Sequence, residues 1–276
     1  MVTSSVRGSS IPPSPGSKRR AALRPRVLAI AAAGKRVFVT TPIRVAATGD
    51  IHAAEPLGNH IRRSFAAVAE DTDLVLLAGD LTTHGLPEQA AVLAEACRGL
   101  PTRILAVLGN HDQHSNRGDE IVDVLEAAGV HVLDREHHIF EIGEREVGVV
   151  GVKGFVGGFA GAELPDFGEP LLRRIYQETT LEVEALEEGL EAVAGCHVRI
   201  VLMHYAPIAD TLVGEPEPIW AFLGSGRLAA PIGMHRPDLV VHGHAHHGAA
   251  RGAVGEVPVR NVAVHVTGED FVRFEF

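Results

Sequence analysis

The stretch from residue 43 to residue 112 decides how the chain folds. Three pieces of it share one plan: IRVAATGDIH at 43–52, DLVLLAGD at 73–80 and RILAVLGNHD at 103–112. Each carries a run of aliphatic and β-branched residues that ends at a glycine, followed at once by Asp or Asn. The runs predict strands over Ile43–Thr48, Asp73–Ala78 and Arg103–Leu108. Between and after them, apolar residues at helical spacing predict helices over Ile61–Glu70, Pro87–Arg98 and Gly118–Ala128. Strand and helix in alternation is the rhythm of a parallel sheet. Asp50, Asp80 and Asn110 stand thirty residues apart, about one βαβ unit per step.

Downstream the rhythm changes. His137–Ile142 and Glu146–Val152 alternate around Gly143 and predict a hairpin. Leu171–Ala194 reads as a long acidic helix with one solvated face. Val198–Met203 and Asp238–His242 read as strands, and Val257–Val264 and Phe271–Phe276 as antiparallel strands at the end. The glycine-rich run Gly151–Gly161 lacks the order of a phosphate-binding loop and is read as turn geometry. Together these elements predict one α/β domain, a central sandwich with helices outside.

Composition narrows the function classes. The chain has 276 residues, two cysteines and a net charge of −10. No apolar run is long enough to cross a bilayer. Two cysteines make neither a disulfide framework nor a thiolate metal knuckle, which fits a reducing, cytoplasmic setting. Residues 1–36 hold eight bases and no acid, which leaves 17 bases against 35 acids in residues 37–276. The first segment reads as a disordered basic extension and the second as the folded domain. So acidic a body repels an extended nucleic acid and says little about a small phosphorylated substrate.

Metal-capable residues follow the strands. Asp50 and His52, Asp80, Asn110 and His111, His204, and His244 and His246 each stand just behind a predicted strand, and strand C-terminal ends converge on one crevice. Three oxygen donors and four imidazoles, with one carboxylate shared, supply four ligands to each of two ions. The mixed set suits Mn, Fe or Zn better than Mg.

The order DxH, GD, GNHD, H and GHxH resembles the calcineurin-like metallophosphoesterase superfamily, over about residues 43–265. The resemblance implies a four-layer αββα sandwich of two mixed β-sheets flanked by helices, with the metal site at strand C-terminal ends. It implies one divalent ion on Asp50, His52, Asp80 and His246. A second would sit on Asp80, Asn110, His204 and His244. It implies phosphoester hydrolysis by a metal-bridging hydroxide, with His111 contacting phosphate and assisting the leaving group. Asp112 is expected to orient His111.

Other expectations concern the substrate pocket. His84 and His114 are candidates for its lining, and Arg227 for a phosphate fork. Lys153 reads as a solvated loop lysine, His242 as a strand residue at or behind the site, and His265 as an ordinary packing residue. Residues 153–180 and 207–230 are expected to shape the pocket. The sequence GDLTTHG lacks the Asp-Arg pair of the protein phosphatases. The whole is similar to small bacterial enzymes related to class III cyclic-nucleotide phosphodiesterases. A phosphodiesterase is therefore expected, with a phosphomonoesterase as the near alternative and a nuclease or a non-catalytic scaffold as remoter ones. A homodimer is compatible with this reading.

Overall fold

Two β-sheets face each other, and helices cover both outer faces. The computed structural model describes residues 41–276, so the basic extension over 1–36 lies outside the described residues. The first half runs β1 (Arg44–Thr48), α1 (Gly58–Ala69), β2 (Leu74–Ala78), α2 (Pro87–Cys97), β3 (Arg103–Val107), α3 (Gly118–Glu126) and β4 (Val130–Val132). Then come the hairpin β5 (Glu136–Ile142) and β6 (Arg145–Gly151), the long α4 (Pro170–Ala192) and β7 (Val198–Leu202). The chain ends with α5 (Trp220–Leu223), α6 (Ala229–His235), β8 (Leu239–His242), β9 (Arg251–Val254), β10 (Val257–Asn261), α7 (Val264–Thr267) and β11 (Val272–Glu275).

One sheet has the order β11-β1-β2-β3-β4 and the other β5-β6-β7-β8-β10-β9. β1 to β4 pair in parallel, and β11 closes that sheet antiparallel to β1. In the second sheet β6, β7, β8 and β10 are parallel, with β5 and β9 antiparallel at the two edges.

The continuous apolar runs follow from burial on both faces. In β2, Val75 and Leu77 point into the core shared with α1, α2 and α3, while Leu74, Leu76 and Ala78 point between the sheets. From the opposite sheet Val147, Val149, Ile200, Leu202 and Val241 meet them. A third core joins α4 and α6 to the outer face of the second sheet through Leu186, Leu190, Ile232, Val201 and Val240. The result is the four-layer sandwich, with both sheets mixed.

Two features differ from expectation. β10 and β11 are each antiparallel to one neighbour, but β10 ends at Asn261 rather than Val264 and is parallel to β8 on its other side, and β11 belongs to the other sheet. The short strands β4 and β9 are additional. β4 has only three residues and follows α3 closely, and β9 is half-exposed, so neither carries a long periodic signal.

Candidate metal centre

The C-terminal ends of β1, β2, β3, β7 and β8 all deliver polar side chains to one place. Ligand-type atoms of Asp50, His52, Asp80 and His246 lie within 4.8 Å of one another, and so do those of Asp80, His204 and His244. Asp80 belongs to both groups. Asn110 joins the second, its Oδ1 standing 2.9 Å from His204 Nε2. All seven residues named from the motifs are thus brought together.

Local backbone geometry does this at a cost. Asp50, His52, Asp80 and His244 have φ of 58°, 46°, 49° and 69°, in the left-handed region that non-glycine residues avoid. Such conformations cost of order 1–3 kcal/mol each and collect at functional sites. The neighbouring glycines are needed for close approach. A Cβ on Gly109 would fall 2.1 Å from Asp80 Oδ1, and one on Gly243 would fall 2.2 Å from Asp50 Oδ2.

Hydrogen bonds fix the ring orientations. His204 Nδ1 is 2.9 Å from the carbonyl of Ala78, which turns Nε2 toward Asp80 Oδ1 at 3.3 Å. A backbone partner on the far nitrogen is the usual support of a ligating histidine. Asp50 accepts from the backbone N–H of His244 and lies 2.8 Å from His246 Nε2. His244 Nε2 lies 3.2 Å from the carbonyl of Phe222, so the 207–230 segment does reach the site.

Burial sets the charges. It holds the imidazoles of His204 and His244 at about 3 and that of His52 at about 4. These rings are therefore neutral at pH 7, as metal ligation requires. Burial pushes Asp50 up to about 6. The bond to Asp50 raises His246.

Does the donor set fit two ions? Asp80 is 1% exposed, and its Oδ2 has no hydrogen-bond partner among the described residues. A buried carboxylate oxygen left unbonded is costly. A shared cation is what the arrangement supplies a place for. Carboxylates, imidazoles and an amide oxygen, without thiolate, suit divalent transition ions. The two clustered ligand sets fit a dimetal cofactor.

His111 stands beside this cluster. Its Nδ1 is 2.8 Å from the carbonyl of Thr83, and its Nε2 is 4.0 Å from Asp80 Oδ2. The ring of His114 lies 4.3 Å from that of His111. His84 is exposed and its ring makes no hydrogen bond among the described residues; only its backbone N–H is held, by Gln89.

Three expectations are corrected. Asp112 does not orient His111. It is fully buried, and its carboxylate accepts from the N–H groups of Leu81, Thr82 and Gly109 and from the Thr82 hydroxyl, at 2.7–3.1 Å. It clamps two ligand loops together. Arg227 is no free phosphate fork. Its guanidinium bonds to the Tyr176 carbonyl and the Thr180 hydroxyl and stacks 4.1 Å from the Tyr176 ring. Lys153 is no solvated lysine. Its ammonium lies over Phe155 at 4.6 Å, burial lowers its pKa, and its carbonyl accepts from the N–H groups of His204 and Tyr205.

His242 is fully buried, with Nε2 2.9 Å from the Thr211 hydroxyl; it packs behind the site. His265 is the residue that sequence reading missed. Its ring stacks on His246 at 4.3 Å and stands 5.9 Å from that of His52. The missed signal was its place just behind β10, the position every other site histidine shares relative to a strand.

The comparisons with known proteins agree with this geometry. The profile of the calcineurin-like phosphoesterase family matches residues 43–248. No curated protein matches the chain. Among solved structures it is similar to the phosphopantetheinyl hydrolase of Mycobacterium tuberculosis, at TM-score 0.58 and 17% identity, over 82% of this chain and 90% of that one. It is also similar to GAP50, the anchor in the inner membrane complex of Plasmodium, at TM-score 0.55 and 11% identity, over 82% and 73%. At such identities the likeness is one of fold. Among the described residues no helix is long and apolar enough to cross a membrane.

Proposed function

The chain belongs to the calcineurin-like phosphoesterase family, and on that premise we propose that it hydrolyses a small phosphodiester, cyclic or linear and of nucleotide-like size. The observation that carries the reading is Asp80: one buried carboxylate common to both ligand sets, with an oxygen that nothing among the described residues bonds. Divalent ions bound there would act as Lewis acids toward the phosphoryl oxygens and make water nucleophilic near neutral pH.

The protein's own residues do the rest. Asp50, His52 and His246 hold one side of Asp80, and Asn110, His204 and His244 the other. With its Nδ1 committed to the Thr83 carbonyl, His111 keeps Nε2 free at the solvent side of Asp80. Carrying a proton there, it gives that proton to the departing alkoxide. His114, beside His111, contributes to the wall on that side.

Charge supports a diester over a monoester. A monoester phosphate carries about −1.5 to −2 at pH 7 and calls for a cationic fork. Arg227, the arginine read for that task, is spent on α4. A diester carries one charge and needs less. The acid-rich composition of residues 37–276 supports a small substrate over a long polyanion.

The test compares bis(4-nitrophenyl) phosphate with 4-nitrophenyl phosphate on Mn²⁺-loaded protein, with Asp80→Ala as control. Faster turnover of the diester, lost by at least about a hundredfold in the variant, is expected. Turnover of the monoester alone would make the enzyme a phosphatase. Turnover of neither by metal-loaded protein would count against the phosphodiesterase reading and favour either a more demanding substrate or a scaffold.

A further inference from the structure

Asp50 and His52 border a second space besides the cluster. A cavity of about 280 Å³ opens beside them, between α1 and the end of β1. One part of its wall is apolar, formed by Ile61, Phe65 and Phe271 with Leu57. Phe65 and Phe271 meet edge to face at 5.1 Å. Leu57 is 42% exposed.

Thr48 also lines the cavity. It is 1% exposed, and its hydroxyl has no hydrogen-bond partner among the described residues. Buried hydroxyls are almost always bonded, so the Thr48 hydroxyl has bonding capacity left over beside the cavity. At the rim, His60 and Ser64 are both tied to Asp270, and His265 stands against both His52 and His246.

Among the described residues no lysine or arginine lines the space, while two carboxylates, Asp50 and Asp270, do. An anion is disfavoured there, so the phosphoryl group itself belongs at the ligand cluster. An apolar cavity of about 150 Å³ takes benzene, and this one is nearly twice that size. We propose that the cavity binds an uncharged apolar group of one or two rings, with an atom that bonds the Thr48 hydroxyl. Its role is to hold the alcohol side of the substrate ester next to Asp50 and His52. That role rests on the phosphodiesterase reading; the binding does not.

The probe is 2-naphthol, titrated into metal-loaded full-length protein by ligand-observed NMR, with Thr48→Val and Ser64→Phe as variants. One saturable site is expected. Filling the mouth with Ser64→Phe should weaken it by at least about tenfold. Thr48→Val replaces the hydroxyl by a methyl group of similar size, so it should weaken the probe severalfold without lowering the melting temperature. The probe should also inhibit hydrolysis of bis(4-nitrophenyl) phosphate competitively. Absence of saturable binding, an affinity unchanged in both variants, or non-competitive inhibition would overturn the proposal. Protein that binds 2-naphthol with these variant effects but hydrolyses no phosphoester would refute the phosphodiesterase reading and leave the binding site standing. Protein that hydrolyses the diester but does not bind the probe would do the reverse.

Discussion

Asp80 and Asp112 are buried carboxylates on adjoining loops with opposite uses. Asp112 spends its oxygens on four donors of the protein, and Asp80 keeps one oxygen unbonded among the described residues. Asp112→Asn turns an amide N–H₂ toward groups that themselves donate. It should cost about 1–3 kcal/mol of stability, read as a lower urea midpoint, while the pH dependence of the residual rate keeps its shape. A changed pH profile at unchanged stability would return Asp112 to a role in orienting His111. The string GNHD contains both kinds of residue and nothing in it separates them. Asn110 and Asp112 differ only in where the loop turns them, and that depends on Leu81 and Thr82, thirty residues away in sequence. The ligands were legible because each stands directly behind a strand. The partners of Arg227 and Lys153 were not, since these come from α4 and from loops brought near only by folding.

At the scale of elements, α4 shows the limit of periodicity. Its acids read as one solvated face, yet Glu182 is completely buried. It accepts from Arg135 Nε at 2.9 Å and from the backbone N–H of Gly154 at 2.8 Å, and Arg135 also pairs with Glu178. This joins α4 to the start of β5 and to the glycine-rich run that holds Lys153. Glu182→Ala strands buried donors and should cost about 3 kcal/mol, the low end for a broken buried pair because Arg135 is partly exposed. Equilibrium urea unfolding measures this, and Glu182→Gln, which still accepts from Gly154, should lose less. A loss below about 1 kcal/mol, the range of surface pairs, would show the link to be ornamental. The parallel direction of the first strands was legible because strand and helix alternate there. The places of β10 and β11 were not. β10 and β11 are both short and alternate in burial, and which sheet each joins is decided by packing across the sandwich.

The whole molecule places its site where the two sheets end together, and this couples stability to protonation. Burial holds His52, His204, His242 and His244 at about 4, 3, 4 and 3. Unfolded, these rings take protons near 6.5. Below that pH the unfolded chain binds more protons, so stability is full above 6.5 and is lost as pH falls toward 4. Asp50 and Asp112, raised by burial to about 6, favour the folded form as pH falls below 6. Two carboxylates, each moved less, offset only part of four imidazoles. The urea midpoint of metal-free protein should therefore drop from pH 7.5 to pH 5; a flat or rising midpoint would mean that these rings are not buried as neutral groups. The most direct test of the site itself is electron paramagnetic resonance of Mn²⁺-loaded protein, with metal content measured on the same sample. A carboxylate common to both sets predicts two ions per chain in one exchange-coupled signal, with the coupling lost in Asp80→Ala. A single ion, or two ions with uncoupled mononuclear spectra, would contradict a shared Asp80.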